Sequence, residues 1–171
     1  MNTAELLTDG FGRVREVVYE AVDGLTAEEL AERPDRESNS VAWLLWHLTR
    51  VQDDHVAEVA GDDQIWTSQG WEQRFGLPFP ADATGYGDSA ADVAEVKVAD
   101  PALLTAYYDA VHDRTLAYVR DLTDADLDRV VDTRWTPPVT LGVRLVSVIS
   151  DDLQHAGQAA YARGLLTRAS S

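Results

Sequence analysis

Four stretches of the sequence carry apolar residues at alternating spacings of three and four, which is the pattern of a helix with one buried face. The first runs from Thr3 to Asp23, and its apolar residues are Leu6, Leu7, Phe11, Val14, Val17, Val18 and Val22. The others run from Asn39 to Ala60, from Pro101 to Leu122 and from Thr140 to Arg163. Helices of this length pack most simply as an antiparallel bundle. We therefore expect an all-α four-helix bundle forming one domain over residues 1–171.

The ends of these helices are marked by residues that cap or stop helices. Ser38 or Asn39 is a suitable N-cap for the second helix, and Asp100-Pro101 suits the start of the third. Gly164 is placed to end the fourth helix.

A short pattern recurs after the first and the third predicted helices. Thr26 precedes Glu29 by three residues, and Thr123 precedes Asp126 by the same interval. This is the spacing of a capping box, which predicts a short helix at each place. The bundle would then consist of two hairpins, each with a short helix between two long ones.

A long crossover, about residues 61–100, connects the second and third helices. Segments of this length inside a domain are usually functional, and this one is rich in aromatic residues and proline. We expect a short helical turn at Trp71–Phe75. Trp66, Trp71 and Tyr86 either pack on the core or cover a ligand.

The composition excludes several classes of function. The net charge of −16 disfavours binding to nucleic acid or to anionic membrane surfaces. The chain has no cysteine, which excludes disulfides, protein thiolates and cysteine-ligated metal sites. No signal peptide and no long apolar span is recognisable, so we expect a cytoplasmic protein.

Three residues on two of the predicted helices could hold a metal ion. Asp151 and His155 are four residues apart, which places both on one face of the fourth helix, and His47 lies in an apolar part of the second helix. Three protein ligands leave a coordination position open, as catalytic metals require. We expect His47, Asp151 and His155 to bind a metal. Asp152 is a weaker alternative because its direction is rotated by about 100°.

The residues alone leave other interpretations open. A buried Arg144–Asp151 or Asp151–His47 pair would explain the acidic residue on an apolar face without any metal. His55 lies roughly 12 Å along the helix from His47, too far to share an ion with it, and a role beside the site stays open. The acidic neighbours of His112 predict a surface position. The alternative is that His112 borders the pocket, because its helix faces the core and Tyr108 is one turn away.

The chain resembles the DinB-like superfamily of four-helix metalloproteins, which includes mycothiol-dependent maleylpyruvate isomerases and bacterial thiol transferases. The resemblance rests on Trp46-His47-Leu48 and on His155-Ala-Gly-Gln158, and it extends over about residues 3–165 in helix order and in the long crossover. Many members carry histidine where this chain has Asp151, whereas the isomerase branch has a carboxylate there.

The resemblance implies a metal-dependent S-transferase or isomerase that uses a low-molecular-weight thiol, with mycothiol as the expected cosubstrate. The metal would be zinc, or else nickel, iron or manganese. Gln158 would not bind the metal itself but would hold one of the metal ligands, or a helix contact, in place. The partners would be the thiol and an electrophilic substrate, and a homodimer is compatible with a helical bundle. The alternatives are a non-catalytic metal-binding stress-response protein and a metal-free helical scaffold that acts through a dimer interface.

Overall fold

A computed structural model describes residues 1–169 of the chain, and four long helices form its frame. These are α1 (Thr3–Val22), α3 (Val41–Ala60), α7 (Ala102–Arg120) and α8 (Leu141–Ala169). Helix α8 packs along α1 and α3, and α7 packs along the same two helices from the opposite side. The all-α bundle with a long second-to-third crossover is therefore confirmed. None of the helices described is long and apolar enough to cross a bilayer.

The long helices begin where side chains satisfy their first backbone N–H groups. Asn2 and Glu5 form a capping box at the start of α1. Helix α3 is capped by Ser40, whose hydroxyl accepts from the backbone N–H of Trp43 at 3.1 Å. The prediction of Ser38 or Asn39 as this cap is therefore wrong by one or two residues.

Helix α8 extends beyond its predicted end. It passes through Gly164 and continues to Ala169, so the predicted stop at Gly164 is wrong. A glycine inside a helix costs about 1 kcal/mol. Leu166, two residues later, is buried, and burying a leucine side chain stabilises by about 1.5–3 kcal/mol. Burial therefore outweighs the local preference of glycine.

The crossover folds into three short helices, α4 (Ile65–Ser68), α5 (Trp71–Phe75) and α6 (Ala90–Glu95), and the predicted turn at Trp71–Phe75 is confirmed. Trp66, Trp71 and Phe75 surround Tyr107 of α7, with ring centroids 5.2, 5.5 and 5.7 Å from its ring. These aromatic side chains are buried. Trp66 and Trp71 are thus part of the core and are not free to stack on a ligand.

Asp53 of α3 fixes the start of α4. Its carboxylate accepts from the backbone N–H groups of Ile65 and Trp66 at 2.9 and 2.8 Å, and from the Tyr107 hydroxyl at 2.9 Å. These N–H groups belong to the first turn of α4 and have no partner within the helix. One buried carboxylate therefore joins α3, α4 and α7.

Arg50, one turn before Asp53, also holds the crossover, at its start and near its middle. Its guanidinium donates to the Ala83 carbonyl at 3.0 Å and to Gln64 Oε1 at 2.8 Å, and lies 3.7 Å from the Asp53 carboxylate. Both charged side chains are buried. The crossover is consequently attached to α3 at two separate points.

The second hairpin of the bundle differs from its predicted form. The capping box at Thr26 opens α2 (Ala27–Ala31) as expected. Asp126 likewise accepts from the Thr123 N–H at 2.7 Å, but only a 3-10 turn follows, Asp126–Asp128. An antiparallel pair of strands then leads into α8, β1 (Val130–Asp132) and β2 (Val139–Thr140). The sequence pattern did not indicate this pair.

Replacing Asp53 by Ala should lower the free energy of unfolding by about 3–5 kcal/mol, because it leaves Arg50 as a buried charge without its partner and removes the acceptor of three donors. Urea denaturation measures the loss. The matched control is Asp63→Ala at an exposed position, which should change stability by about 0.5 kcal/mol or less. Similar small losses in both variants would show that Asp53 does not hold the crossover.

Candidate metal centre

The structure brings His47 of α3 together with Asp151 and His155 of α8. One potential ligand atom from each residue lies within 4.8 Å of the other two. His155 Nε2 is 3.6 Å from Asp151 Oδ1, and the two imidazole rings are 4.7 Å apart at 78°. Ligands about 2.1 Å from a zinc ion lie roughly 3.4 Å apart, so the cluster is close to the spacing of a metal site. That these residues bind a metal stays a prediction.

The orientation of His47 is set by its neighbours. Its Nδ1 lies 2.5 Å from the Thr84 carbonyl oxygen. Since a carbonyl only accepts, Nδ1 carries the proton and Nε2 keeps its lone pair. Trp43 stacks on the ring at 4.6 Å and 13°. Burial lowers the pKa of His47, and the nearby His155 lowers it further, so the neutral, metal-binding form is favoured.

The contact between His47 and the crossover depends on Gly85. This residue has φ +89, a left-handed conformation that favours glycine. A Cβ at this position would lie 2.8 Å from His47 Nδ1 and 3.0 Å from the Trp46 ring. Only glycine therefore lets the backbone come close enough for Thr84 to accept from His47.

His155 is held by a side chain of its own helix. Its Nδ1 lies 3.1 Å from Gln158 Oε1. With Nδ1–H donating to this amide oxygen, Nε2 is left free on the side that faces Asp151. Gln158 therefore occupies the place expected of a residue that supports a ligand, while its effect on metal binding stays a prediction.

Asp151 offers an oxygen that no group in the described part of the chain satisfies. Its Oδ2 is inaccessible to solvent and has no hydrogen-bond partner among residues 1–169. A buried carboxylate oxygen without a donor is costly unless a cation is bound. Two imidazole nitrogens and a carboxylate oxygen of Asp151 form a donor set that suits zinc. The residues present thus fit a divalent metal.

The alternative in which Arg144 neutralises Asp151 is not what the structure shows. Arg144 donates instead to Glu58 at 2.5 Å and to Asp132 at 3.3 Å. Asp152, the weaker candidate ligand, is fully buried outside the cluster. Burial raises the pKa of Asp152 well above its usual range, and the neighbouring Asp151 adds to the effect.

The predicted surface position of His112 is wrong. The residue is only 5% exposed, and its ring stacks on Tyr108 at 5.8 Å. His112 shares one face of α7 with Tyr108, Thr115 and Val119, all of which are buried. That periodicity was a better guide to burial than the charges beside it in the sequence. His112 does not belong to the cluster.

A cavity of about 420 Å³ opens beside the cluster. Its lining includes His47 and Asp151, with His55 and two aromatic residues, Tyr86 and Trp135. Tyr86 is 93% exposed and Trp135 is 65% exposed. Trp135 lies between β1 and β2, and sequence reasoning missed it because the strands themselves were not foreseen.

Replacing Gln158 by Met should weaken zinc binding by about tenfold, because the His155 ring loses the acceptor that orients it. Gln158 is exposed, so the fold should be unaffected. Competition with a chromogenic chelator measures the affinity. Gln154→Met, one turn earlier at another exposed position of α8, is the control and should bind zinc as the wild type does. Equal affinities in the two variants would remove Gln158 from the site.

Replacing Gly85 by Ala should both destabilise the fold and weaken zinc binding. The matched control is Gly87→Ala, since Gly87 has a similar φ of +82 but no atom within 4 Å of its Cβ position. Both variants carry the backbone strain of a left-handed alanine, about 1–2 kcal/mol. Only Gly85→Ala adds the clash with His47, which should cost at least about 1 kcal/mol more in thermal or urea unfolding. Identical losses of stability and of zinc affinity in the two variants would contradict the close contact between Gly85 and His47.

Comparison with known proteins gives the family of the chain. A family model described as the DinB superfamily matches residues 11–159. A solved structure of a conserved protein from Enterococcus faecalis is similar over 98% of both chains, with 34% sequence identity and a TM-score of 0.92. No protein with a curated description matches the chain. The family match includes α3, the crossover, α7 and all three residues of the cluster. The chain belongs to the DinB superfamily.

Proposed function

We propose that this protein binds a divalent metal, most simply zinc, through His47, Asp151 and His155. We further propose that it acts as an S-transferase or isomerase dependent on a low-molecular-weight thiol such as mycothiol. Nickel, iron and manganese suit the same nitrogen and oxygen ligands. The site would operate in the cytoplasm, where small thiols are kept reduced.

The observation that carries this proposal is that hydrogen bonds orient both imidazole rings before any metal binds. His47 and His155 each use Nδ1 for a hydrogen bond, to Thr84 and Gln158, and each has Nε2 available. Histidines that ligate metals commonly donate their other N–H in this way. Two histidines with no ligand would have no need to lie, each with a free nitrogen, in one cluster with the Asp151 carboxylate.

When bound, such a metal would lower the pKa of a coordinated thiol and so supply a thiolate nucleophile. The chain has no cysteine, so the sulfur must come from a small molecule. His47 and Asp151 line the cavity, so the open side of the proposed site would face a second substrate bound there. The buried Trp43 ring stacks on the His47 ring and covers one of its faces.

The cavity has room for a small electrophile or for part of the thiol. Its volume of about 420 Å³ lies within the range of small-molecule sites. Tyr86 and Trp135 expose their rings beside it, and exposed aromatic rings favour flat or sugar-like ligands. Mycothiol is an uncharged sugar-containing thiol, so the acidic surface of the protein does not oppose its entry.

Elemental analysis should find about one zinc per chain in the purified wild-type protein, and His47→Ala and His155→Ala should each lose it, because two remaining ligands hold zinc poorly. His112→Gln is the control. It replaces a buried histidine outside the cluster, and it should keep the metal as long as thermal unfolding shows that it is folded.

The thiol step is tested separately in cobalt-substituted protein. Mycothiol should produce a sulfur-to-cobalt charge-transfer band that is absent in the His155→Ala variant. Metal without such a band would favour a non-catalytic metal-binding protein. Equal metal contents in the wild type and both alanine variants would contradict the site itself.

A further inference from the structure

A second histidine, His55, lines the cavity without belonging to the metal cluster. It lies on α3 two turns beyond His47, and Tyr86 and Trp135 border the same cavity. The His55 side chain is about two-fifths exposed. It is therefore accessible to a ligand that enters beside the proposed metal.

The hydrogen bond from Arg144 decides which nitrogen of His55 carries its proton. Arg144 Nη1 lies 3.0 Å from His55 Nδ1. A guanidinium only donates, so Nδ1 must accept and the single proton of the ring resides on Nε2. Burial, and after it the charge of Arg144, lowers the pKa of His55. The ring is thus a neutral donor with a fixed Nε2–H.

The arginine that orients His55 also holds the segment that carries Trp135. Arg144 is 8% exposed, and it bonds Glu58 of α3 as well as Asp132 of β1. Asp132 in turn accepts from Arg134 at 2.8 and 3.0 Å. Trp135 directly follows Arg134. One buried guanidinium consequently connects His55 to the segment that carries Trp135, and both residues line the cavity.

We infer that His55 Nε2–H donates a hydrogen bond to a neutral carbonyl oxygen of the electrophilic cosubstrate, while Trp135 and Tyr86 hold the apolar body of that molecule. The electrophile would then be an uncharged carbonyl compound with a flat or apolar substituent. That this carbonyl compound is the electrophile rests on the proposed thiol chemistry. The hydrogen bond from His55 to its carbonyl oxygen does not depend on that chemistry.

The charges around His55 favour a neutral ligand over a carboxylate. The Arg144 guanidinium is already paired with two carboxylates, those of Glu58 and Asp132. Asp54, whose Oδ2 is 3.9 Å from His55 Nδ1, adds another negative charge to the cavity lining. A bound thiolate would offset part of the charge of the metal. An anionic substrate would therefore meet no unpaired cationic side chain here.

The test uses three probes of similar size in titration calorimetry, with chelator-treated protein, so that no metal can bind the carboxylate, and with no thiol present. Benzylacetone carries a neutral carbonyl, butylbenzene has no acceptor, and phenylbutyrate carries a carboxylate. His55→Leu removes the donor, and His55→Gln restores an N–H at about the position of Nε2. Thermal unfolding confirms that each variant is folded.

We expect His55→Leu to weaken benzylacetone binding by about five- to tenfold, the effect of one lost hydrogen bond, and to leave butylbenzene binding unchanged. His55→Gln should recover most of the loss, and phenylbutyrate should bind more weakly than benzylacetone. Equal effects on benzylacetone and butylbenzene, no binding of benzylacetone by the wild type, or tighter binding of phenylbutyrate would each overturn the inference. Because these titrations contain no thiol, they succeed or fail independently of the cobalt experiment.

Discussion

The candidate site depends on two hydrogen bonds by which α3 holds the crossover. Arg50 donates to the Ala83 carbonyl and His47 donates to the adjacent Thr84 carbonyl. The two donors are three residues apart on the helix, so they face the same way and reach consecutive peptide groups. Gly85 then provides the left-handed turn that prevents a Cβ from striking the His47 ring. Without this attachment His47 would have no fixed tautomer, and the cavity would lose its Thr84 and Tyr86 wall.

The crossover accordingly has two parts with different physical roles. Its first part, α4 and α5, buries Trp66, Trp71 and Phe75 around Tyr107 and behaves as core. Asp53 accepts from the backbone N–H groups of Ile65 and Trp66, which removes the cost of burying the start of α4. Its second part follows the Arg50 contact and exposes Tyr86 beside the cluster. A rigid first part thus allows the second to present an aromatic ring to solvent.

The four long helices could be predicted because the spacing of apolar residues along a helix indicates which of its faces is buried. The long helices and the turn at Trp71–Phe75 follow from it, and so does the convergence of His47, Asp151 and His155 once the helices are paired. Errors arose where tertiary packing overrules a local signal, as when the burial of Leu166 carries α8 past Gly164. The hydrogen bond between His47 and Thr84 joins residues 37 positions apart, and the one between Arg144 and His55 joins residues 89 positions apart. Trp135 lies between two short strands. No local pattern encodes such contacts.

The two histidines of the cluster are supported unequally, and this asymmetry bears on what the site can do. His47 is buried, stacked on Trp43 and held by a backbone carbonyl. His155 is held by an exposed glutamine side chain one turn away on the same helix. A ligand fixed by the backbone keeps its direction, whereas one oriented by an exposed side chain can adjust at small cost. A closed structural site gains nothing from such freedom. In the proposed thiol-dependent reaction, the coordination of the metal would change as thiol and substrate exchange. His47 would then retain the ion, while His155 would adjust to the new geometry.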